Sequence, residues 1–401
     1  MSKIRIKNFG PIKDGAGDDW IDIKKTTIFI GNQGSGKSTI AKLISTFTWL
    51  EKSLYKQAIT KSDVKRKSKF ENFYVDYQNL KNYFKSNTEI EYEGDAYRFD
   101  FKNGRLNIEE TKGTKYLVPK VMYVPAERNF VSAVAQPDKL KYLPKTLYTF
   151  LEEFERSKQE LSESIDLPIN NIQFVFDKKK GLSKIKGHDY ELPLYEASSG
   201  FQSSIPLFLV SKNLSEGINR NDDNSISKAS LEENQKIRNR LLEILKHDFI
   251  KDDLRTEAMQ LLSSITKNDC FINIVEEPEQ NLFPNSQWEM LKKLLEFNNL
   301  NTGNKLIFTT HSPYLVNYMS IAIQGESLYK KVNNDRLNNI VPLKSVVSAD
   351  DVVIYQFNEV TGVIIKLSNT EGIPSDNNYL NQSLRHGNEM FDELLEIEQE
   401  L

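Results

Sequence analysis

One cysteine, Cys270, occurs in 401 residues. That excludes a disulfide scaffold and any cysteine-built metal site, and its place just before an apolar strand marks it as core. No apolar run reaches membrane-spanning length. Lys3, Arg5 and Lys7 interrupt the N-terminus where a signal peptide would need an apolar stretch, so the expected location is cytoplasmic. The formal net charge of −3 lacks the excess of basic residues that marks a nucleic-acid binder and leaves only local patches open. The densest is Lys61 to Lys69, with Tyr74, Tyr77, Tyr83 and Phe84 close behind. A basic run beside aromatics can hold a nucleic-acid backbone, but a solvated loop joining helices accounts for it more simply. Internal repeats and sustained heptads are missing too. What remains, 39% hydrophobic and 27% charged, is enough for one elaborated soluble domain or two.

Against that background the stretch Gly31-Asn32-Gln33-Gly34-Ser35-Gly36-Lys37-Ser38 stands out. It has the spacing of a phosphate loop: glycine, four residues, then Gly-Lys-Ser. The preceding Thr26 to Ile30 read as a buried strand, and Thr39 to Phe47 continue as a helix. Glycines let backbone N–H groups converge on phosphate oxygens, and a helix N-terminus adds partial positive charge. Lys37 would reach the β- and γ-phosphates, and the Ser38 hydroxyl would ligate Mg²⁺.

Along the chain, Lys3 to Lys7 alternate as a half-exposed strand, Asn8 to Pro11 turn, and Trp20 to Ile23 offer a second strand. Residues 40–86 read as mainly helical. Glu89 to Asp100 and Leu106 to Glu109 suggest an antiparallel meander, and Val118 to Val124 a stronger strand. Residues 140–165 return to helix with Phe150, Leu151, Phe154 and Leu161 inward. Gln173 to Phe176 and Tyr190 to Leu194 are short strands around the Lys178-to-Gly181 turn. Phe201 to Val210 is an apolar helix in which Pro206 must take a first-turn or kinked position. Residues 211–232 read as a flexible insertion, and 233–264 as helix with Ile237, Leu241, Leu242 and Leu245 on one face. Phe271 to Val275, Leu306 to Thr310 and Val352 to Phe357 are strands.

Four further motifs follow in order. Tyr123 to Arg128 ends a strand on a charged pair, and Arg128 or Glu127 would line or sense a nucleotide pocket, unless the two form an edge-of-strand ion pair. Ser198-Ser199-Gly200-Phe201-Gln202 opens a helix whose first N–H groups suit an anion. The strand ending at Val275 runs into Glu276-Glu277, where the first carboxylate would hold the metal shell and the second would orient and deprotonate an attacking water. His311 ends another apolar strand, in reach of a γ-phosphate or catalytic water.

In this order the residues resemble ABC-type ATPases of the SMC/RecF-like branch that includes OLD-family proteins, and the likeness runs from Ile6-Lys7-Asn8-Phe9 to His311. Gly31 to Ser38 looks like Walker A, Ser198 to Gln202 like the signature, Glu276-Glu277 like Walker B, Gln280 to Phe283 like the D-loop, and His311 like the switch histidine. The Glu-Pro-Glu-Gln-Asn-Leu-Phe-Pro run is similar to the ATPases of bacterial antiphage operons of the Septu and PARIS types. Glu276 stands where the family has aspartate, Phe201 where it has a second signature glycine, and only Gln136 offers itself for the Q-loop.

The resemblance implies an α/β P-loop NTPase with an ABC-type core: a mixed central sheet, an N-terminal antiparallel meander and a helical lobe with insertions. Residues 1–401 would form a single domain. Residues 1–130 and 265–345 would be the nucleotide-binding lobe, 131–264 the helical signature lobe with an insertion at 211–264, and 346–401 a C-terminal strand and helical tail. It further implies ATP and Mg²⁺ as cofactors. Residues Gly31 through Thr39, Ser199, Gly200 and Arg128 would bind nucleotide. Ser38 and Glu276 would hold the metal, and Lys37, Glu277 and His311 would be catalytic. ATP would be closed between two subunits of a homodimer or larger homo-oligomer, with a nuclease or toxin as separate effector in antiphage defence. The alternatives are a RecF- or SMC-like DNA-binding repair ATPase and an OLD-type nuclease. SMC arms are missing from the roughly 160 residues between Walker A and signature. An OLD-type Toprim domain lacks its Asp-x-Asp pair, since Asp350-Asp351 are adjacent. Met390, Leu394, Ile397 and Leu401 give the acidic tail an apolar seam, expected to pack on its own domain.

Overall fold

The computed structural model describes residues 2–56, 58–66, 68–111, 115–162, 164–218, 268–332 and 335–399. Its centre is a six-stranded sheet. β3 (Thr26–Gly31), buried along its whole length, lies between β14 (Val352–Phe357) and β13 (Lys305–Thr310). Beyond β13 come β12 (Cys270–Glu276) and β7 (Pro119–Val124), and β15 (Ile364–Lys366) closes the opposite edge outside β14. All pairs are parallel except β14 with β15. Strands covered on both faces need no polar alternation, which is why these segments read as mainly apolar and β-branched runs.

One face of this sheet meets helix α1 (Lys37–Tyr55), whose Ile40, Leu43, Ile44 and Phe47 are fully buried. Above α1 lies an antiparallel sheet ordered β2 (Ile21–Asp22), β1 (Lys3–Phe9), β4 (Phe84–Glu93), β5 (Tyr97–Lys102) and β6 (Arg105–Glu110). Phe47 stacks on Tyr92 of β4 with ring centroids 5.2 Å apart. Burying each such side chain contributes about 1.5–3 kcal/mol, so α1 and the loop that starts it are firmly seated. The other face carries α2 (Lys145–Glu160), α3 (Ser199–Gly217), α4 (Pro284–Asn299) and α5 (Pro313–Tyr329) around a second core that includes Phe150, Phe208, Leu294 and Phe308. A small sheet, β11 (Glu191–Pro193), β10 (Leu182–Lys186), β9 (Gln173–Asp177) and β8 (Ile165–Asp166), joins α2 to α3.

Several expectations need correction. Residues 40–86 are mainly helical, as expected, but in pieces: α1 ends at Tyr55, a one-turn helix spans Lys61–Lys65, helical turns run from Phe70 to Gln78, and β4 begins at Phe84. Strand β10 was missed because Ile185 is its one buried residue. Leu161 caps the end of α2, half-buried, rather than lying within it. Pro206 is not in the first turn but well inside α3. It removes the bond to the Gln202 carbonyl, and beside that gap the Ser203 carbonyl accepts from Arg128 Nε at 3.1 Å.

Residues 346–401 supply β14, which pairs with β3 inside the core sheet, followed by the helical tail. The tail, α6 (Tyr379–Gln399), is held to its own domain only at its first turn, where Leu380 packs on the core and Tyr379 N donates to Gln356 Oε1 at 2.8 Å; beyond Asn381 it is exposed, and Met390, Leu394 and Ile397 do not pack on the domain. The insertion begins as a continuation of α3 through Gly217. Its remainder, including the helix with Ile237, Leu241, Leu242 and Leu245, lies outside the described residues, as does Leu401. The basic run is tied down: Lys61 bridges Glu110 of β6 at 2.7 Å, Lys65 donates to Asn107 at 3.1 Å, and Lys69 lies over the Phe73 and Tyr74 rings. Among the described residues no helix is long and apolar enough to cross a membrane.

Candidate functional site

The parallel register sets three strand ends side by side. Thr310 pairs with Ile30, and Glu276 with Thr309, so the loops leaving β3, β12 and β13 open at one edge of the sheet. This is the edge where open α/β sheets place their ligands.

The loop after β3 depends on its glycines. Gly31 has φ 148°, and a Cβ there would come within 2.6 Å of the Phe357 carbonyl on β14. Gly36 has φ 107° and precedes α1 as its N-cap without a side-chain cap bond, leaving the first N–H groups free. Asn32, Gln33 and Gly34 are exposed, and Asn32 Nδ2 reaches Glu359 Oε1 at 3.2 Å. Lys37 is 4% exposed, and its ammonium folds back on the carbonyls of Gly31 at 2.9 Å and Asn32 at 2.8 Å. Burial pushes its pKa down to about 8, against the pull of Glu277, Glu279, Glu276 and Glu359. Ser35 Oγ is buried with no hydrogen-bond partner. Ser38 is half-buried and Thr39 buried in the first turn of α1. Open N–H groups, a desolvated cation and an orphaned hydroxyl together fit a polyphosphate.

At the end of β12, Glu276 is 4% exposed. Its Oε2 accepts from Ala126 N at 3.2 Å, and its Oε1 has no partner. A buried carboxylate oxygen left open on the α1 side of the sheet fits a cation or its water shell, with Ser38 as second donor.

Glu277 follows in left-handed conformation, φ 46°, which a non-glycine residue holds only where its surroundings enforce it. Its carboxylate lies 3.5 Å from His311 Nε2. The His311 hydrogen bond, with Arg128 and Lys37 nearby, holds its pKa below the usual carboxylate value despite partial burial.

Arg128 does not line the pocket. It is fully buried, and its guanidinium donates to the carbonyls of Glu276 and Glu277 (both 2.6 Å) and of Ser203 (3.1 Å). It ties the carboxylate turn to α3 and has no free edge for a nucleotide. Burial lowers its pKa to about 10.

Sequence reading also passed over Glu279. This half-buried residue, its carboxyl pKa raised by desolvation, accepts from Thr310 Oγ1 and His311 N, each at 2.8 Å, and so fixes where His311 leaves β13. Its position inside the Glu-Pro-Glu run was the one available signal. Gln136, the Q-loop candidate, is exposed at the start of a short turn.

Ser199 is exposed at the first turn of α3, whose N-cap Ser198 makes no side-chain cap bond. A Cβ on Gly200 would come within 2.8 Å of the Asn281 carbonyl, and Ser203 Oγ donates to Gln280 Oε1 at 2.9 Å. Phe201 packs against the core beneath α3, so its bulk is spent inward. An aromatic-lined cavity of about 300 Å³ with Trp49, Tyr74, Tyr77 and Met122 lies between α1, β7 and α2, lined by none of the phosphate-loop or Glu276–Glu277 residues.

The fold and this edge define an α/β P-loop NTPase with an ABC-type core. The AAA ATPase domain family matches residues 48–316, most of the chain, and the chain belongs to that family. It is thereby an ATP-binding ATPase at the level of class. No curated protein matches it. Solved structures similar to it include the SMC head domain from Thermotoga maritima, at 12% identity and TM-score 0.37, covering 92% of this chain and 98% of that one. The recombination mediator protein RecF with ATP shares 12% identity at TM-score 0.31, covering 91% and 97%. A nucleotide-free ATP-binding cassette from an ABC transporter shares 14% at TM-score 0.29, covering 93% and 94%.

Proposed function

We propose that the chain binds ATP with Mg²⁺ on the loop Gly31 to Thr39, completes each site with Ser199 and Gly200 of a second copy, and uses hydrolysis to switch a separate effector protein, a nuclease or toxin of antiphage defence, in the cytoplasm. The observation that carries the reading is the pairing of Glu277 with His311 at the edge where Lys37 lies buried.

The Lys37 ammonium leaves its two loop carbonyls for the β- and γ-phosphates. The free N–H groups at the start of α1 receive the remaining oxygens. Ser38 and Glu276 hold the metal, which when bound neutralises charge that builds on the phosphates. Glu277, kept ionised, orients the attacking water and takes its proton, and His311 steadies Glu277 and faces the γ-phosphate. The open N-terminus of α3, exposed on its own subunit, supplies N–H groups to a γ-phosphate held by the second copy. Loss of that phosphate removes the contact that closes the pair, and this converts chemistry into a change of assembly.

The test is Glu277→Gln. It is expected to bind ATP without turnover and to accumulate as a closed dimer or larger assembly. Full ATPase activity in this variant would remove Glu277 from its assigned role. Stimulation of the wild-type ATPase by duplex DNA would instead favour a RecF-like DNA clamp.

A further inference from the structure

The phosphate loop is closed on itself through Asn32. The Asn32 carbonyl accepts from the Lys37 ammonium at 2.8 Å, and Asn32 Oδ1 accepts from Gln33 N at 2.8 Å, so one of the loop's own backbone donors is taken. Asn32 Nδ2 in turn donates to Glu359 Oε1 at 3.2 Å. Glu359 belongs to residues 358–362, the turn that joins β14 to β15, and this turn is firmly held. Asn358 Oδ1 accepts from Val360 N at 3.0 Å and Thr361 N at 2.8 Å, and Lys13 Nζ donates to the Val360 carbonyl at 2.7 Å. Gly362, at φ 66°, packs so closely that a Cβ would lie 2.8 Å from both Lys13 N and the Pro11 carbonyl oxygen. At the root of α6, Asn358 Nδ2 donates to the Tyr379 hydroxyl at 2.9 Å. Glu359 itself is exposed, and its own N–H, then Asn32, then Lys37 hold its pKa below the usual carboxylate value. The steps assigned above to Lys37, Ser38, Glu276, Glu277 and His311 leave this carboxylate unused.

We propose that Glu359 is a positioning residue that holds the Asn32 side chain on the Gln33 N–H in competition with nucleotide, and so limits how tightly and how long the loop keeps ATP and ADP. The proposal rests on the reading of residues 31–39 as the nucleotide loop. Two effects act in the same direction. A polyphosphate that takes the Gln33 N–H must displace Asn32 Oδ1, and the Glu359 acceptor stabilises the Asn32 rotamer that has to leave. The carboxylate also repels the negative charge of the ligand across a solvent-exposed gap. An exposed hydrogen bond and a screened charge pair are each small, so together they change affinity several-fold rather than by orders of magnitude. Because the turn is anchored to Lys13, Pro11 and Tyr379, Glu359 keeps its place while the loop rearranges, and Asn32 returns to it when nucleotide departs.

The experiment measures equilibrium binding of ADP and of a non-hydrolysable ATP analogue to the full-length chain, together with the dissociation rate of a fluorescent ADP. Salt is set at about 0.1 and about 1 M, between which the screening length falls from about 10 to about 3 Å. Glu359→Ala should bind both nucleotides about fivefold more tightly at the lower salt and release ADP correspondingly more slowly. Glu359→Gln keeps an acceptor for Asn32 and loses only the charge. Its gain should be smaller and should vanish at the higher salt, where part of the Glu359→Ala gain persists. Asn32→Ala keeps the main-chain carbonyl that Lys37 uses and removes the side chain alone. In that background Glu359→Ala should add only the salt-sensitive part, a coupling that a merely structural role for the turn does not produce. Unchanged or weaker binding by Glu359→Ala, no gain for Glu359→Gln at the lower salt, or full additivity with Asn32→Ala at the higher salt would each overturn the proposal. Lys37→Ala, measured alongside, separates the two levels. If it loses nucleotide while Glu359→Ala binds as wild type does, the loop reading stands and the proposal falls; if Lys37→Ala binds as wild type does, the loop reading fails and takes the proposal with it.

Discussion

Arg128 shows how far one side chain's role can lie from its sequence neighbourhood. Following a strand end beside Glu127, it read as a pocket residue. The structure turns its guanidinium inward onto the Glu276, Glu277 and Ser203 carbonyls instead. Removing it strands buried acceptors, so Arg128→Ala is expected to lower stability by about 3 kcal/mol in chemical denaturation. Arg128→Lys should recover only part of this, since a single ammonium cannot span three carbonyls set by a planar fork. Equal stability for all three chains would contradict the tie. Lys37 gives a second residue-scale test. Its pKa is lowered to about 8 by burial, so the free protein carries the charge below that pH and sheds it above. Phosphate binding requires the ammonium. ATP affinity should therefore be level below about pH 8 and fall as pH rises past it, with proton uptake on binding in that upper range. Calorimetry in two buffers of different ionisation enthalpy reads the uptake directly, and affinity that stays constant through pH 9 would refute the shift.

Among the elements, α3 bears most directly on the mechanism. Its N-terminus is open and exposed, while its first turn is pinned to its own subunit through Gly200 against Asn281 and Ser203 to Gln280. An element held from behind and free in front suits a contact made by another molecule. Ser199→Arg is expected to leave ATP affinity within about twofold and abolish turnover, because the bulky side chain blocks the approach of a second subunit while touching nothing in its own phosphate loop. Unchanged turnover by the purified variant would argue against a site completed in trans. The elements also show what was legible in advance. The strands at 271–275, 306–310 and 352–357 were readable because burial on both faces leaves mainly apolar and β-branched runs, and Lys37 because its loop pattern is local. β10 was hidden by having one inward residue. The seat of β14 next to β3 could not be read, because parallel strand order is set by crossovers rather than by local residues. The exposure of α6 was equally hidden, since an apolar seam has the same spacing whether its own domain or another chain covers it.

For the whole molecule, the consequence of a shared site is that two defective chains can make one working site. Lys37→Ala spoils the phosphate-loop half of a site and leaves its α3 intact; Ser199→Arg does the opposite. Each alone has no complete site in its homodimer. In a mixed dimer, the phosphate loop of the Ser199→Arg chain faces the unaltered α3 of the Lys37→Ala chain, and one of the two sites is whole. Co-expressing the two at equal levels puts about half of all dimers in the mixed form, each with half its sites, so ATPase activity should return to about a quarter of wild type. A site built within one chain predicts no recovery in the mixture, because no single polypeptide then carries both halves.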